Sequence, residues 1–272
     1  MAGRTAIEWT DATFNPWWGC TRVSPACAHC YADTLARRYG HKLWDGVERR
    51  FFSDQHWARP RRWNRRAEVT RMPVKVFCAS MADVFEDAVD LELWRARLWE
   101  LIEETPWLQW QLLTKRPENV AAMVPWREEW PVNVWIGTSI ENSRHTFRAD
   151  ILRTLPARIR FISAEPLLGS LFLNRKPNRQ PLDLTGIDWL IAGGESGPRF
   201  RAVDLEWVRE LRDACRGSGT AFFYKQQGGR TPKAGGRELD GRTWSDFPAR
   251  LAPNDARSGR ERSRRVAQPA TA

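Results

Sequence analysis

The sequence predicts an α/β protein, a partial or full (β/α) barrel, on three observations. Short apolar, β-branched runs recur along the chain. Stretches with apolar residues at helical spacing separate most of them. Nearly every run ends in charged or polar residues beside Gly or Pro, as strand ends do when they ring a site. A doubly wound parallel sheet is the second architecture that fits this alternation.

Residues 1–18 read as an extended lead ending in Phe14-Asn15-Pro16-Trp17-Trp18. A loop then carries Cys20, Cys27 and Cys30. Residues 28–39 come next as a helix, with Gly40 as its C-terminal cap. Residues 41–73 show no clean period. They are rich in Arg and Trp, carry Pro60 and Pro73, and read as an insertion. From there the rhythm is regular. Strands are predicted at 74–80, 108–114, 132–138, 159–163, 188–192 and 220–224. Leu91, Trp94, Leu98, Leu101 and Ile102 form one helical face behind Asp90 as N-cap. Pro117 opens a short helix. Phe147, Ile151, Leu152 and Leu155 form a further face, and Leu205, Val208, Leu211 and Cys215 another, closed by Gly217. Residues 167–184 read largely as loop. Residues 230–272 lose all periodicity and predict a basic, disordered tail, which places the barrel domain at 1–229.

At 272 residues and 42% hydrophobic content the chain can bury a sizeable core. It holds no apolar run of about eighteen residues, so no membrane partner is expected. An odd count of five cysteines, three of them within residues 20–30, and no apolar leader predict a reducing cytoplasmic setting rather than a disulfide framework. The net charge of +10 gathers in two patches. One is Arg59, Arg61, Arg62, Arg65, Arg66 and Arg71 against Glu68. The other is Arg250, Arg257, Arg260, Arg262, Arg264 and Arg265 against Asp255 and Glu261. Local basic patches suit a polyanion, DNA or RNA; the alternative is a solvated loop and tail without a partner. Trp57 and Trp63 interleave with the first patch. They either stack bases or pin the insertion to the body, so Arg61, Arg62 and Trp63 are candidate substrate contacts.

The residues just past each strand share one chemical character. Asp83, Lys115-Arg116, Ser139 with Glu141, Glu165, Gly193-Gly194-Glu195 and Lys225 fall at equivalent positions and predict one polar site. Glu165 and Glu195 are acceptors for amino or hydroxyl groups, or caps for the next helices. The glycines beside Glu195 would let a ligand approach the backbone. Lys115, Arg116 and Lys225 suit a phosphate or carboxylate, or pairing with the neighbouring acids. Four histidines in no triad argue against a hydrolase. Cys20, Cys27 and Cys30 have a C-x6-C-x2-C spacing. A closed zinc site takes four ligands, so His29 or another residue would complete one. A [4Fe–4S] cluster held by three cysteines leaves one iron open. Spacing alone leaves both metals standing. Cys78 and Cys215 read as core residues.

Several motifs together carry a resemblance. They are Ile7-Glu8-Trp9-Thr10-Asp11-Ala12-Thr13-Phe14-Asn15-Pro16-Trp17, the three-cysteine run, Ser80-Met81-Ala82-Asp83-Val84-Phe85, Leu113-Thr114-Lys115-Arg116-Pro117, Ser163-Ala164-Glu165-Pro166-Leu167-Leu168-Gly169 and Gly193-Gly194-Glu195-Ser196-Gly197. Over about residues 5–229 the chain resembles the phage-associated gene-product thirty-seven/sixty-eight family, three-Cys-motif proteins of unassigned function. That family in turn resembles radical S-adenosylmethionine enzymes. The resemblance implies a [4Fe–4S] cluster on Cys20, Cys27 and Cys30, with S-adenosylmethionine bound through Asp83, Ser139, Glu165, Gly193, Gly194 and Glu195. It implies generation of a 5′-deoxyadenosyl radical that modifies a nucleic acid or nucleotide, or else a protein or peptide. A three-Cys-motif partner protein is a further implied partner. A zinc-stabilised nucleic-acid-binding accessory protein is the non-enzymatic alternative. The first cysteine gap is six residues where radical S-adenosylmethionine enzymes usually have three. Gly-Gly-Glu comes after a late strand here rather than the second, so position favours Asp83 for the amino group and motif favours Glu195.

Overall fold

The structure is a computed structural model and describes residues 5–44, 48–172, 181–231 and 233–248. Two short strands, β1 (Ala12–Thr13) and β2 (Trp17–Trp18), precede helix α1 (Tyr31–Arg38), strand β3 (Arg50–Phe51) and helix α2 (Asp54–Thr70). Then come β4 (Val74–Cys78), α3 (Glu92–Glu104), β5 (Leu108–Thr114), α4 (Val120–Met123), β6 (Val134–Ser139), α5 (Phe147–Arg153) and β7 (Ile159–Ala164). The order closes with β8 (Trp189–Gly193), α6 (Leu205–Ser218), β9 (Ala221–Gln226), β10 (Glu238–Leu239) and β11 (Arg242–Thr243).

Seven strands form one sheet in the order β1-β4-β5-β6-β7-β8-β9, every neighbouring pair parallel. The order tracks the sequence without reversing. A doubly wound sheet reverses at a switch point, so this is barrel-type winding in a partial barrel. Every predicted strand from residue 74 onward is present. The helices after residue 90 are present as well, shifted at their caps: α3 starts from Leu91 after a 3₁₀ turn, and α6 ends at Gly219 rather than Gly217. Gly219 has φ +75°, which glycine adopts at no steric cost.

Side chains alternate across the sheet. Leu108, Trp110 and Leu112 of β5 join the outer core under the helices. On the inner face, Trp9, Phe77, Trp135, Phe161, Trp189 and Phe223 form an aromatic floor. Trp189 lies at its centre, 5.1–6.2 Å from the rings of Trp9, Trp135, Phe161, Phe223 and Phe247. This floor fills the end of the barrel where the strands begin and leaves the other end to the polar residues.

Two expectations are corrected. Residues 41–73 are not an irregular insertion. They contain α2, the crossover between β1 and its neighbour β4. Trp57, Pro60, Trp63 and Ala67, three or four residues apart, with Asn64 beside Trp63, are its buried stripe. The high density of Arg hid that period. Residues 233–248 are not part of a disordered tail either. β10 and β11 pair antiparallel, and the chain then runs along β9, with Tyr224 N–H donating to Trp244 O (3.0 Å) and Asp246 N–H to Phe222 O (3.1 Å). The predicted tail beyond 248, with its arginines, lies outside the described residues. No helix among the described residues is long and apolar enough to cross a membrane.

Candidate functional site

The cysteine loop is an excursion clamped at both ends. β2 and β3 pair antiparallel, with Trp17 opposite Phe51, so the chain from 19 to 49 leaves and returns at one point. Gly19 has φ +115°, and a Cβ there would lie 2.8 Å from Leu43 O. The loop is tied over the end of β4: Gly19 N–H donates to Met81 O (3.0 Å), and the Tyr31 hydroxyl to Ser80 O (2.7 Å). Asn15 adds bonds to Ser80 and to Met81 N–H.

Under this loop, at the C-terminal ends of the strands, is a cavity of about 580 Å³. It is lined by Cys20, Cys27, Cys30, Asp83, Lys115, Arg116, Ser139, Glu165, Glu195 and Lys225. Ten predicted site residues, from seven separate stretches of sequence, therefore meet at one place. Gly193 and Gly194 lie beside Glu195 but are not part of the lining. Glu141 is fully buried against Arg148 (3.1 Å). Arg61, Arg62 and Trp63 lie on α2, on the outer side of the sheet. Trp63 is buried, so it cannot stack on a base. Arg61 pairs with Glu104 (2.6 Å), and Arg62 is exposed.

The charged groups are mostly committed. Asp83 accepts from the Thr114 hydroxyl (2.7 Å), Phe85 N–H (3.1 Å), Lys115 N–H (3.0 Å) and Arg116 Nη1 (3.0 Å). Arg116 also donates to Thr21 O (2.8 Å) and contacts Cys20 Sγ (3.8 Å), linking the cysteine loop to β5. Glu195 accepts from Arg201 at both oxygens and lies 3.0 Å from His29 Nδ1. Burial pushes the Glu195 carboxyl up, but the bonds from Arg201 and His29 outweigh it and hold it below its usual value. Lys225 pairs with Glu165. Lys115 Nζ donates to Ser139 Oγ (3.2 Å).

The three thiols are free and half-buried. Burial, with Asp83 and Glu86 nearby, pushes Cys20 up to about 12 against the pull of Arg116. Burial also raises Cys30, opposed by the Asp33 and Ala32 backbone and by Lys115. At Cys27 burial acts the same way, but Lys115 and hydrogen bonds at Val23 and Ser24 prevail and lower it. Burial thus disfavours the thiolate at Cys20 and Cys30; a bound metal would favour it. Among the described residues no group of three or more His, Cys, Asp or Glu side chains is placed to hold a metal ion. Three thiols lining one cavity are the donor type that a cluster takes, but as placed they do not converge on one metal position. A zinc site would need a fourth ligand; His29, with Nδ1 on Glu195, has Nε2 as the ring nitrogen for that role.

Arg201 was not legible in the sequence, since nothing marks an arginine six residues beyond Glu195 as its partner. Ser163 was legible in principle, standing at a strand end beside Glu165 and lining the cavity.

Fold and site together define a parallel partial-barrel protein whose strand ends and three-cysteine loop line one cavity with charged and thiol side chains. The chain belongs to a family described as a protein of unknown function (DUF5131), which it matches over residues 4–248. That match continues through β10 and β11. No curated protein and no solved structure matches the chain.

Proposed function

We propose that this is a radical S-adenosylmethionine-like iron–sulfur enzyme acting on a nucleic acid or nucleotide. The observation that carries the reading is the meeting of Cys20, Cys27 and Cys30 with the polar strand ends at one cavity. Cys20, Cys27 and Cys30 would hold a [4Fe–4S] cluster. When bound, such a cluster supplies an electron for reductive cleavage of S-adenosylmethionine to a 5′-deoxyadenosyl radical. The chain's own residues orient and enclose. Arg116 and the Asp83 carboxylate fix the Cys20 end of the loop to β5. His29, through Glu195, ties the Cys27–Cys30 end to β8. Lys115 places positive charge near Cys27 and Cys30. Glu165, paired by one oxygen to Lys225, keeps acceptor capacity towards the cavity. The phage-associated family and a three-Cys-motif partner rest on the motif resemblance alone. The nucleic-acid class rests on that resemblance and on the exposed arginines of α2.

The test is anaerobic purification with iron, sulfide and zinc assays and an absorption spectrum. A brown protein that makes 5′-deoxyadenosine from S-adenosylmethionine and reductant, with Cys27→Ala inactive, is expected. A colourless, zinc-loaded protein overturns the cluster.

A further inference from the structure

The cavity holds three cationic side chains on strand ends, and their partners differ. Arg116 is held by Asp83 and Thr21. Lys225 is neutralised by Glu165. Lys115, at the end of β5, has no carboxylate partner among the described residues. An ammonium offers three N–H donors, and only one of these is taken, by Ser139 Oγ. Ser139 keeps its own O–H to donate. Its partner across the β6–β7 ladder is Ser163, whose side chain lines the same cavity and makes no hydrogen bond to another described residue. Both serines are nearly buried, at 2% and 3% exposure. Three adjacent strands, about 4.8 Å apart, thus present an ammonium and two hydroxyls to one space. Glu165, just past β7, is already paired with Lys225, and Asp83 with Arg116.

We propose that Lys115, Ser139 and Ser163 form an oxyanion subsite that takes a phosphate group of the cavity's substrate. Phosphate is favoured over carboxylate by the donor chemistry. A planar carboxylate is best met by the fork of an arginine, and the guanidinium at this site, Arg116, is committed elsewhere. A point charge and two hydroxyls on separate strands instead address oxygens that diverge tetrahedrally. The substrate class is then a phosphorylated molecule such as a nucleotide. The subsite rests on the proposed function of the same cavity, but its test needs no cluster.

Calorimetric titration of the anaerobically purified full chain with inorganic phosphate, acetate and adenosine 5′-monophosphate is the experiment. Phosphate and the monophosphate should bind, with acetate about tenfold weaker or more. Lys115→Met should weaken phosphate about tenfold, and Ser163→Ala measurably, while Arg216→Gln, exposed on α6, changes nothing. If Lys115→Met does not fold, Ser163→Ala and Ser139→Ala carry the test. Phosphate binding untouched by these substitutions would mean that Lys115 serves only Cys27 and Cys30, and overturns the subsite. Acetate binding as tightly as phosphate overturns the substrate class. Iron content is assayed on the same preparation, so an iron-free protein that binds phosphate refutes the cluster alone.

Discussion

A Cβ added at Gly194 would lie 1.9 Å from Gln227 O, a backbone atom of the neighbouring strand end. One at Gly193 would meet the Glu165 side chain at an ordinary 3.5 Å. The sequence suggests that both glycines admit a ligand; the structure gives Gly194 a different reason, close backbone packing. Gly194→Ala should therefore destabilise the protein by about 1–3 kcal/mol. Gly193→Ala should change it by less than about 0.5 kcal/mol, both read by urea denaturation. Equal effects would refute the packing argument. The acid beside them gives a prediction in pH. Glu195 has its pKa depressed on folding, so its contribution is present above the unfolded-state value and lost as pH falls through the folded one. Glu195→Gln should be less stable than the parent at pH 7, and that deficit should shrink as the pH is lowered through the acid range. A deficit independent of pH would show that the carboxylate's charge does not stabilise the fold.

At the scale of elements, the strands after residue 74 were legible because each is an apolar run with its own polar end. α2 was not, although Trp57, Pro60, Trp63 and Ala67 keep helical spacing. Arginines fill the positions between them and a proline sits within the helix, so composition spoke louder than period. The same helix separates two roles that the sequence merged. Its tryptophans are core, and its outer face carries Arg62, Arg65 and Arg66, all exposed. If that face contacts phosphates, changing these three to Gln should flatten the dependence of DNA or RNA affinity on log salt by up to about three contacts at 0.9 each. An unchanged slope would remove α2 from the interface. The site was legible as a set of residues but not as a set of pairs. Thr114 and Arg116 on Asp83, and His29 on Glu195, come from chain segments whose proximity only the winding of the sheet creates; Arg201 is close in sequence to Glu195, but nothing in the sequence marks it as a partner.

At the scale of the molecule, the sheet's open edge is the structural problem, because an unpaired β9 would present a row of backbone groups to other chains. The segment after β11 covers it, and Phe247 reaches the aromatic floor, 5.1 Å from Trp189, with Lys75 of β4 over its ring at 4.3 Å. Glu8, near the other edge, is bonded to Arg237 (2.5 Å) and Lys233 (3.1 Å). The two margins of the partial barrel are thus joined by residues 233–247, which weak hydrophobic patterning left unread. A chain ending at 229 should melt lower and scatter light on heating, since Phe222, Phe223 and Trp189 lose their cover. A truncated chain that melts as a monomer at the parent temperature would show that the seam needs no cover.

The aromatic floor has a consequence for traffic. With indole and phenyl rings filling the end where the strands begin, ligands reach the cavity from the strand-end side, where the cysteine loop lies. A large partner can be served only through a protruding group small enough to fit a space of about 580 Å³.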